Sequence, residues 1–293
     1  MINVLKKRKT RRLYKMKAAV FGTGQGGNAL INLIASDYEI VACFDNNPDK
    51  WGSIVSGLSV KPPDKLLDDN PEIIWTGSLN ADAAIDIENQ IRGLGFGGII
   101  KHASDFKTKY DLRLAELRLI GNEIRKRKVA GAIAELGVYQ GKFARELNQN
   151  FSDRKLYLFD TFDGFQSEDI VSERGLSKAK SGDFSDTSEA TILSHMPFPE
   201  QVEILKGRFP ETIPDQEIQY ALVSLDADLY EPTRHGLDYF YPRLSSGGVI
   251  LIHDYNSTQF PGVKKAVDEY LNDQKLFLIP LCDFHGTAIL MKP

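Results

Sequence analysis

The stretch Ala134-Glu135-Leu136-Gly137-Val138-Tyr139-Gln140-Gly141 decides the fold of this chain. It follows an apolar run at 129–133 and precedes an amphipathic segment at 142–150. A strand, a glycine turn and a helix in this order present a helix N-terminus to a nucleotide-like ligand. A second apolar run, 156–159, ends in Asp160, whose carboxylate can accept hydrogen bonds from a ribose diol. The stretch therefore predicts an α/β unit that binds a nucleotide-like ligand.

The bulk composition is that of a globular protein with room for two domains. The chain has 293 residues, of which 42% are hydrophobic and 26% charged. It contains no apolar run near the ~18 residues that cross a bilayer and no apolar segment typical of a signal peptide. Its two cysteines, Cys43 and Cys282, lie in separate apolar runs, which argues against a disulfide framework or a zinc site. We therefore expect a cytoplasmic protein without a transmembrane segment.

Charge is distributed unevenly along the chain. The first 17 residues carry eight basic and no acidic side chains, so the rest carries −12 against a net charge of −4 for the whole. A basic tail at 1–16 can bind nucleic acid or an anionic membrane surface. Because the body is acidic, we favour a solvated terminus and expect no nucleic-acid partner.

A first α/β unit is predicted at 17–102. A buried strand at 18–21 leads into Gly22-Thr23-Gly24-Gln25-Gly26-Gly27, and a second strand at 39–44 ends in Asp45. This is the dinucleotide-binding fingerprint, which makes Gly22, Gly24, Gly27 and Asp45 a candidate second nucleotide site. No Tyr-x-x-x-Lys or other hydride-handling pair follows. The unit resembles the small Rossmann-like domains that accompany sugar-modifying enzymes and some methyltransferases. That resemblance implies a bound nucleotide or nucleotide sugar, or a purely structural turn.

The segment 103–129 is predicted to be a helical connector. It is strongly charged, lacks proline, and carries apolar residues at helical spacing. We favour a packing role against the second unit over a role as a lid or a dimer surface. A homo-oligomer remains open.

Strands and helices alternate from residue 130 to 293, which predicts a largely parallel sheet covered on both faces. Strands are expected at 131–136, 156–159, 202–205, 221–225, 249–252, 276–281 and 288–291, with helices at 236–244 and 263–272. Ligands of such sheets bind at the carboxyl ends of the strands. Those ends carry Glu135 and Gly137, Asp160, Lys206-Gly207-Arg208, Asp226-Ala227-Asp228 and His253-Asp254. So many carboxylates at one edge repel one another unless a cation is present. S-adenosylmethionine (SAM), with its sulfonium and amine, and a divalent metal are the two candidates.

Five motifs of this unit resemble, in order, those of the macrocin O-methyltransferase (TylF-type) family. They are Ala134-Glu135-Leu136-Gly137-Val138-Tyr139-Gln140-Gly141, Phe159-Asp160-Thr161-Phe162-Asp163-Gly164-Phe165, Leu205-Lys206-Gly207-Arg208-Phe209-Pro210-Glu211-Thr212-Ile213-Pro214, Ser224-Leu225-Asp226-Ala227-Asp228-Leu229-Tyr230-Glu231-Pro232-Thr233 and Ser246-Gly247-Gly248-Val249-Ile250. The resemblance implies a class I methyltransferase with a seven-stranded, mostly parallel sheet and an antiparallel last strand. It also implies SAM-dependent, usually magnesium-dependent, methylation of sugar hydroxyls of a small molecule or saccharide.

The same resemblance assigns roles to individual residues. The residues expected at SAM are Glu135, Gly137, Tyr139, Gly141, Asp160, Thr161, Phe162, Asp183 and Asp226. Glu135, Gly137 and Gly141 are expected to hold the methionine end. Asp160 is expected at the ribose, and Asp183 near the adenine. Asp226 and Asp254 are the expected metal ligands, and Asp228 is a further ligand or a base.

His253 departs from the family pattern, which has two adjacent aspartates where this chain has His253-Asp254. Histidine is a poorer magnesium ligand than a carboxylate, so the site could use another metal, lose its metal, or use His253 as a general base. A buried structural histidine is the alternative. Of the other histidines, we expect His235 at a helix start on the surface and His285 in a structural turn.

The function predicted on these grounds is a SAM-dependent O-methyltransferase, with the polar segment 166–199 as a substrate lid. One alternative is a non-catalytic nucleotide-sugar-binding regulator with a degenerate methyltransferase domain. Another is an NAD-dependent oxidoreductase that uses the first unit. The sequence leaves the methyl acceptor open.

Overall fold

The computed structural model describes residues 15–173 and 176–293. Most of the predicted basic tail, residues 1–14, lies outside them. The chain divides into two compact units, one up to Phe106 and one from Lys107 to Pro293.

The first unit is built on a six-stranded sheet. Its strands are β1 (Lys17–Phe21), β2 (Glu39–Phe44), β3 (Ile54–Val55), β4 (Leu58–Lys61), β5 (Ile73–Thr76) and β6 (Ile99–His102), in the order β3-β4-β2-β1-β5-β6. All neighbours are parallel except β3 and β4. Helices α1 (Gln25–Ile34) and α2 (Ala81–Gly93) connect the strands, and α3 (Ala103–Lys109) follows β6. Phe21, Phe44 and Ile74 pack with Ile91 of α2 in the core.

The second unit contains the predicted seven-stranded sheet. Its strands are β7 (Ala132–Leu136), β8 (Leu156–Asp160), β9 (Val202–Lys206), β10 (Tyr220–Leu225), β11 (Leu244–Ile252), β12 (Ile279–Pro280) and β13 (Ala288–Met291), in the order β12-β13-β11-β10-β7-β8-β9. Strands β7 to β11 run parallel to one another, and β13 is antiparallel to both β11 and β12. The predicted α/β class and the antiparallel last strand are confirmed.

Helices cover both faces of this sheet: α4 (Leu112–Lys126), α5 (Lys142–Asn150), α6 (Ser167–Ser172), α7 (Glu189–His195), α8 (Tyr230–Arg243) and α9 (Pro261–Gln274). The apolar residues of β10 divide between two cores, one on each face of the sheet. Val223 and Leu225 of β10 pack with α8 and α9, whereas Ala221 and Leu222 pack with α4 and α5. Because β7, β8, β10 and β11 are parallel, their carboxyl ends lie at one edge of the sheet.

Four predicted elements differ in extent. The connector forms two helices, α3 and α4, because Asp111 accepts the Leu114 N–H at 2.9 Å and starts a new helix. The strand expected at 276–281 shrinks to Ile279–Pro280, and Phe277 is 84% exposed. Helix α8 begins at Tyr230, so His235 lies within it rather than at its start. Segment 166–199 contains α6 and α7, and Ile192 of α7 is fully buried.

Candidate functional site

The turn after β7 is held by the acid that ends β8. Asp160 Oδ2 accepts the backbone N–H groups of Val138 and Tyr139 at 2.6 and 2.9 Å, and its Oδ1 accepts that of Phe162 at 2.7 Å. Three backbone bonds to one carboxylate fix both turns at this edge of the sheet. The structure therefore gives Asp160 a positioning role, and its expected contact with a ribose stays a prediction.

The glycines of this turn are required by the packing of the chain. Gly137 has φ +86°, and a Cβ there would overlap the carbonyl oxygen of Asp226. Gly141 has φ +73° and precedes α5, and a Cβ there would lie 2.8 Å from Ile192 Cδ1. Glycine tolerates both the positive φ and the close approach. Gly137 thereby brings the turn against the loop that follows β10.

The loops after β10 and β11 together carry a compact acidic cluster. Asp226 and Asp228 follow β10, His253 and Asp254 follow β11, and one ligand atom of each lies within 4.8 Å of the others. His253 Nδ1 lies 2.8 Å from Asp226 Oδ1 and 2.6 Å from Asp254 Oδ2. Asp228 and Asp254 adopt positive φ angles of 60° and 56°. Such strain persists only where surrounding structure enforces it, and it is concentrated at functional sites.

The cluster shifts the pKa values of its members in opposite directions. Burial raises the pKa of Asp228 well above its usual range, and the charges of Asp226 and Asp254 add to this effect. Burial opposes the charge of Asp226, but His253 and Arg113 outweigh it and hold the pKa of Asp226 below its usual range. Burial would also lower the pKa of His253, yet Asp226 raises it to about 10. In this arrangement His253 is protonated at neutral pH, so its ring N–H groups donate hydrogen bonds to its neighbours.

Arg113 of α4 belongs to the site, although the sequence analysis did not identify it. Its Nη1 and Nη2 both donate to Asp226 Oδ2 at 3.2 Å, and Nη2 also donates to Ser224 Oγ at 3.2 Å. The guanidinium lies 3.7 Å from the centroid of the Phe143 ring, and the side chain is only 8% exposed. Arg113 shares the buried face of α4 with Leu117, Gly121 and Ile124. Arg113 lies four residues before Leu117, on the face of the helix that is expected to be buried. A basic residue on that face was the signal in the sequence that could have identified it.

Glu135 and His285 complete the buried part of the site. Glu135 is 1% exposed, accepts a hydrogen bond from Ser224 Oγ at 3.2 Å, and has its pKa raised well above the usual range by burial. His285 Nδ1 lies 3.4 Å from His253 Nε2. Burial and the charge of His253 lower the pKa of His285 to about 4, so it is neutral. His285 thus contacts the site, beyond the structural role expected for it.

The segment between α6 and α7 lies on the glycine turn. Tyr139, at φ 49°, donates its hydroxyl to Asp186 Oδ2 at 3.1 Å, and its ring contacts Phe184 with centroids 5.1 Å apart. Asp183 is exposed and accepts the Lys180 N–H at 2.8 Å within its own turn. Thr161 and Phe162 lie at the end of β8, where Thr161 Oγ1 donates to Gly164 O at 2.9 Å and Phe162 is buried. The expected adenine contact of Asp183 stays a prediction.

The corresponding turn of the first unit is occupied by its own side chains. Asp45 accepts hydrogen bonds from Thr23 N and Oγ1, Asn47 N and Lys50 Nζ, at 2.7 to 2.9 Å. A Cβ on Gly27 would overlap the carbonyl oxygen of Gly22. Since the chain itself uses the acid and this glycine, the geometry favours a structural turn over a dinucleotide site.

Two family profiles match this chain. The profile of the macrocin-O-methyltransferase (TylF) family matches residues 109–292. This chain belongs to the macrocin O-methyltransferase family. A second profile, described as C2185-like, N-terminal, matches residues 14–98. The resemblance inferred from the five motifs is thereby confirmed.

Two curated proteins and one solved structure are similar to this TylF-family chain. Demethyldecarbamoylnovobiocin O-methyltransferase of Streptomyces niveus is 28% identical over 54% of the chain. 8-Demethyl-8-(2,3-dimethoxy-α-L-rhamnosyl)-tetracenomycin-C 4'-O-methyltransferase of Streptomyces olivaceus is 28% identical over 56%. The matches span 64% and 66% of these relatives. The structure of the O-methyltransferase NovP is 25% identical, with a TM-score of 0.50 over 61% of this chain and 79% of that one.

Among the described residues, none of the helices has the length and apolar character that crossing a bilayer requires.

Proposed function

We propose that this chain transfers a methyl group from SAM to a hydroxyl of a sugar, borne by a small molecule or a polysaccharide. The observation that carries the proposal is the contact between the glycine turn at Gly137 and the loop of the acidic cluster at Asp226. This contact brings a nucleotide-type turn next to groups that can bind an acceptor hydroxyl and accept its proton. The relative from Streptomyces olivaceus, whose name states a rhamnosyl group, supports a sugar as the acceptor.

The residues present fit SAM. SAM supplies a methyl group already activated by its sulfonium, so the protein has to align the acceptor and exclude water. The turn 137–141 would receive the methionine end, and Asp160 and Tyr139 would lie along the nucleoside. Phe184 and Asp186 cover that turn through Tyr139, which supports a covering role for their segment.

A divalent cation also fits the donor set. Three carboxylates and an imidazole converge within 4.8 Å, and carboxylate oxygens are the ligands that hard cations prefer. Asp226 and Asp254 would hold the ion, with His253 as a further donor if it loses its proton. A bound cation would supply positive charge that lowers the pKa of an acceptor hydroxyl.

Asp228 is our candidate for the group that removes the hydroxyl proton. Burial raises its pKa, and a carboxylate with a raised pKa is a stronger general base. His253 can take this role only when another cation replaces it beside Asp226, because that carboxylate keeps it protonated.

Binding and methylation assays test the proposed reaction. We expect S-adenosylhomocysteine (SAH) to bind in calorimetry, and an acceptor from a panel of glycosylated metabolites and nucleotide sugars to gain one methyl group by mass spectrometry. A chain that binds SAH but methylates no member would favour the non-catalytic regulator. A chain that binds no SAH would refute the proposal.

Manganese titration by electron paramagnetic resonance tests the metal separately. Asp254→Asn should weaken Mn²⁺ binding at least about tenfold, because a charged ligand is lost. Asp163→Asn, an exposed acid after β8, is the matched control and should leave the affinity unchanged. Equal affinities in all three proteins would remove the cation from the proposal.

A further inference from the structure

The ring of His253 is held at both of its nitrogen atoms. Nδ1 lies 2.8 Å from Asp226 Oδ1 and 2.6 Å from Asp254 Oδ2, whereas Nε2 lies 3.4 Å from Nδ1 of His285. The His253 side chain is 17% exposed. Nδ1 therefore points to the two carboxylates that would hold a cation, and Nε2 points to the turn before β13.

Three atoms of this cluster, Asp226 Oδ1, His253 Nδ1 and Asp254 Oδ2, are spaced like neighbouring ligands of one ion. Metal–ligand bonds of about 2.1 Å place adjacent ligands of an octahedral ion roughly 3 Å apart. The measured separations from Nδ1, 2.6 and 2.8 Å, are close to that spacing. Small movements of the three side chains would therefore be enough to admit an ion between them.

The donor set differs from one that suits Mg²⁺. Arg113 Nη1 and Nη2 both donate to Asp226 Oδ2 at 3.2 Å, so Asp226 has only Oδ1 left for an ion, beside a fixed positive charge. Mg²⁺ is bound through charged oxygen ligands, whereas Mn²⁺, Co²⁺ and Zn²⁺ also accept the nitrogen of an imidazole. One nitrogen and a weakened set of carboxylates therefore favour a transition metal ion.

His285 is fixed by the turn that leads into β13. Asp283 Oδ1 accepts the N–H groups of His285 and Thr287 at 3.2 and 3.0 Å, and the carbonyl oxygen of His285 accepts the N–H of Asp254 at 3.4 Å. A histidine that binds a metal usually donates its second ring N–H to an acceptor, which fixes the orientation of the ring. Nδ1 of His285 lies where His253 would need that acceptor.

We propose that the cation site selects a divalent transition metal ion, of the series from Mn²⁺ to Zn²⁺, over Mg²⁺. His253 Nδ1 is a ligand of that ion, and His285 is the positioning residue that holds the His253 ring. The inference rests on the proposed function, because the same carboxylates, Asp226 and Asp254, would hold the ion. It explains the departure at His253 as a change of metal preference, and it gives His285 a role beyond its turn.

Pulsed electron paramagnetic resonance of the full chain loaded with Mn²⁺ tests the nitrogen ligand directly. The wild type should show the spin-echo modulation of a bound imidazole nitrogen, and its affinity for Mn²⁺ should exceed that for Mg²⁺ at least about a hundredfold in competition titrations. His253→Asp restores two adjacent aspartates. It should lose the nitrogen modulation and narrow the preference for Mn²⁺ over Mg²⁺ at least about tenfold.

Variants of His285 test the positioning role. His285→Leu, which removes the acceptor, should weaken Mn²⁺ binding about ten- to hundredfold. His285→Asn keeps an acceptor oxygen near the position of Nδ1 and should bind Mn²⁺ within about threefold of wild type. His195→Asn, at an exposed position of α7, is the matched control and should leave the affinity unchanged. Equal losses in His285→Leu and His285→Asn, or none in either, would overturn the role of His285.

The remaining outcomes separate this inference from the proposed function. Bound Mn²⁺ without nitrogen modulation, or with modulation that persists in His253→Asp, would overturn the ligand role of His253 and leave the cation site standing. The wild-type spectrum decides this point alone if His253→Asp folds poorly. A wild type that binds neither Mn²⁺ nor Mg²⁺ overturns the cation site together with this inference, while SAH binding and methylation still decide the proposed reaction.

Discussion

Gly137 is the residue that joins the two halves of the site, and its substitution tests that contact. Gly137→Ala must carry a Cβ at φ +86° and against the Asp226 carbonyl oxygen. We expect it to destabilise the protein by about 2–4 kcal/mol and to abolish SAH binding, because the strained φ and the overlap act together. Urea unfolding followed by far-UV circular dichroism, with SAH calorimetry, measures both effects.

Gly182 is the matched control for this prediction. It has φ +83° but nothing within 4 Å of an added Cβ. Gly182→Ala should therefore cost only about 1 kcal/mol from the backbone conformation and should bind SAH normally. Similar losses in the two variants would mean that backbone strain, and not the contact with Asp226, explains the requirement for glycine at position 137.

Asp45 should make the first unit sensitive to acid. Burial alone would raise the pKa of Asp45, but the N–H groups of Asn47 and Thr23, together with Lys50, lower it to about 2. Since the folded pKa lies below the unfolded value of about 3.9, the stabilisation is present above pH ~4 and is lost as the pH falls towards 2. After allowance for solvent screening it amounts to about 1–2 kcal/mol.

The two tryptophans, Trp51 and Trp75, both lie in the first unit, so fluorescence reports its unfolding directly. Asp45→Asn should be destabilised at pH 7 and should approach wild type near pH 2. A difference that is constant between pH 7 and pH 2 would contradict the assigned pKa.

At the scale of elements, α6 is attached to the site by the acid that follows it. Glu173 is 3% exposed, and its carboxylate accepts the first N–H of α8, from Tyr230. A Cβ on Gly262, at the start of α9, would overlap the same carboxylate. Negative charge is favourable at helix N-termini. Glu173 therefore connects α6 to the starts of two helices whose preceding loops carry the acidic cluster.

We expect Glu173→Ala to lower stability by about 1–3 kcal/mol and to speed amide hydrogen exchange in α6 and at the start of α8. Glu168→Ala, an exposed acid on α6, should change neither. Faster exchange in α6 alone, with the start of α8 still protected, would show that Glu173 does not link them.

The elements that the sequence predicts well are those set by local patterns. Apolar runs that end in Asp160, Asp226 and Asp254 gave β8, β10 and β11 together with their polar ends, because both signals lie within a few residues. The strand at 276–281 was overestimated, because pairing with β13 extends over only two residues while Phe277 faces solvent.

The residues of the site that the sequence did not predict lie far along the chain from the residues that they contact. Arg113 is 113 residues from Asp226, and His285 is 32 residues from His253. Only the sheet order, with β13 beside β11 and α4 packed near β10, brings them together. The sequence also did not predict the protonation of His253, because it depends on the charge of Asp226, which lies on a different loop.

At the scale of the whole molecule, the same interaction between an acid and a glycine turn occurs in both units. In each, the acid that follows the second strand of the unit binds the turn after the first: Asp45 at Thr23, and Asp160 at Val138 and Tyr139. In the first unit Lys50 also forms an ion pair with Asp45, and the turn packs on Gly77. In the second unit the turn faces Asp226 and the acidic cluster. The two turns therefore differ in the groups that surround them.

This contrast predicts that cofactor binding belongs to the second unit. Arg113, Glu135, Asp160, Asp226 and His253 all lie between Lys107 and Pro293. A fragment of residues 103–293 should therefore bind SAH with an affinity within about threefold of the full chain, since no proposed contact is removed. Calorimetry measures the affinity, and far-UV circular dichroism shows whether the fragment is folded. A fragment that is folded but binds SAH at least about tenfold more weakly would contradict the assignment, because the missing affinity would have to come from residues 1–102.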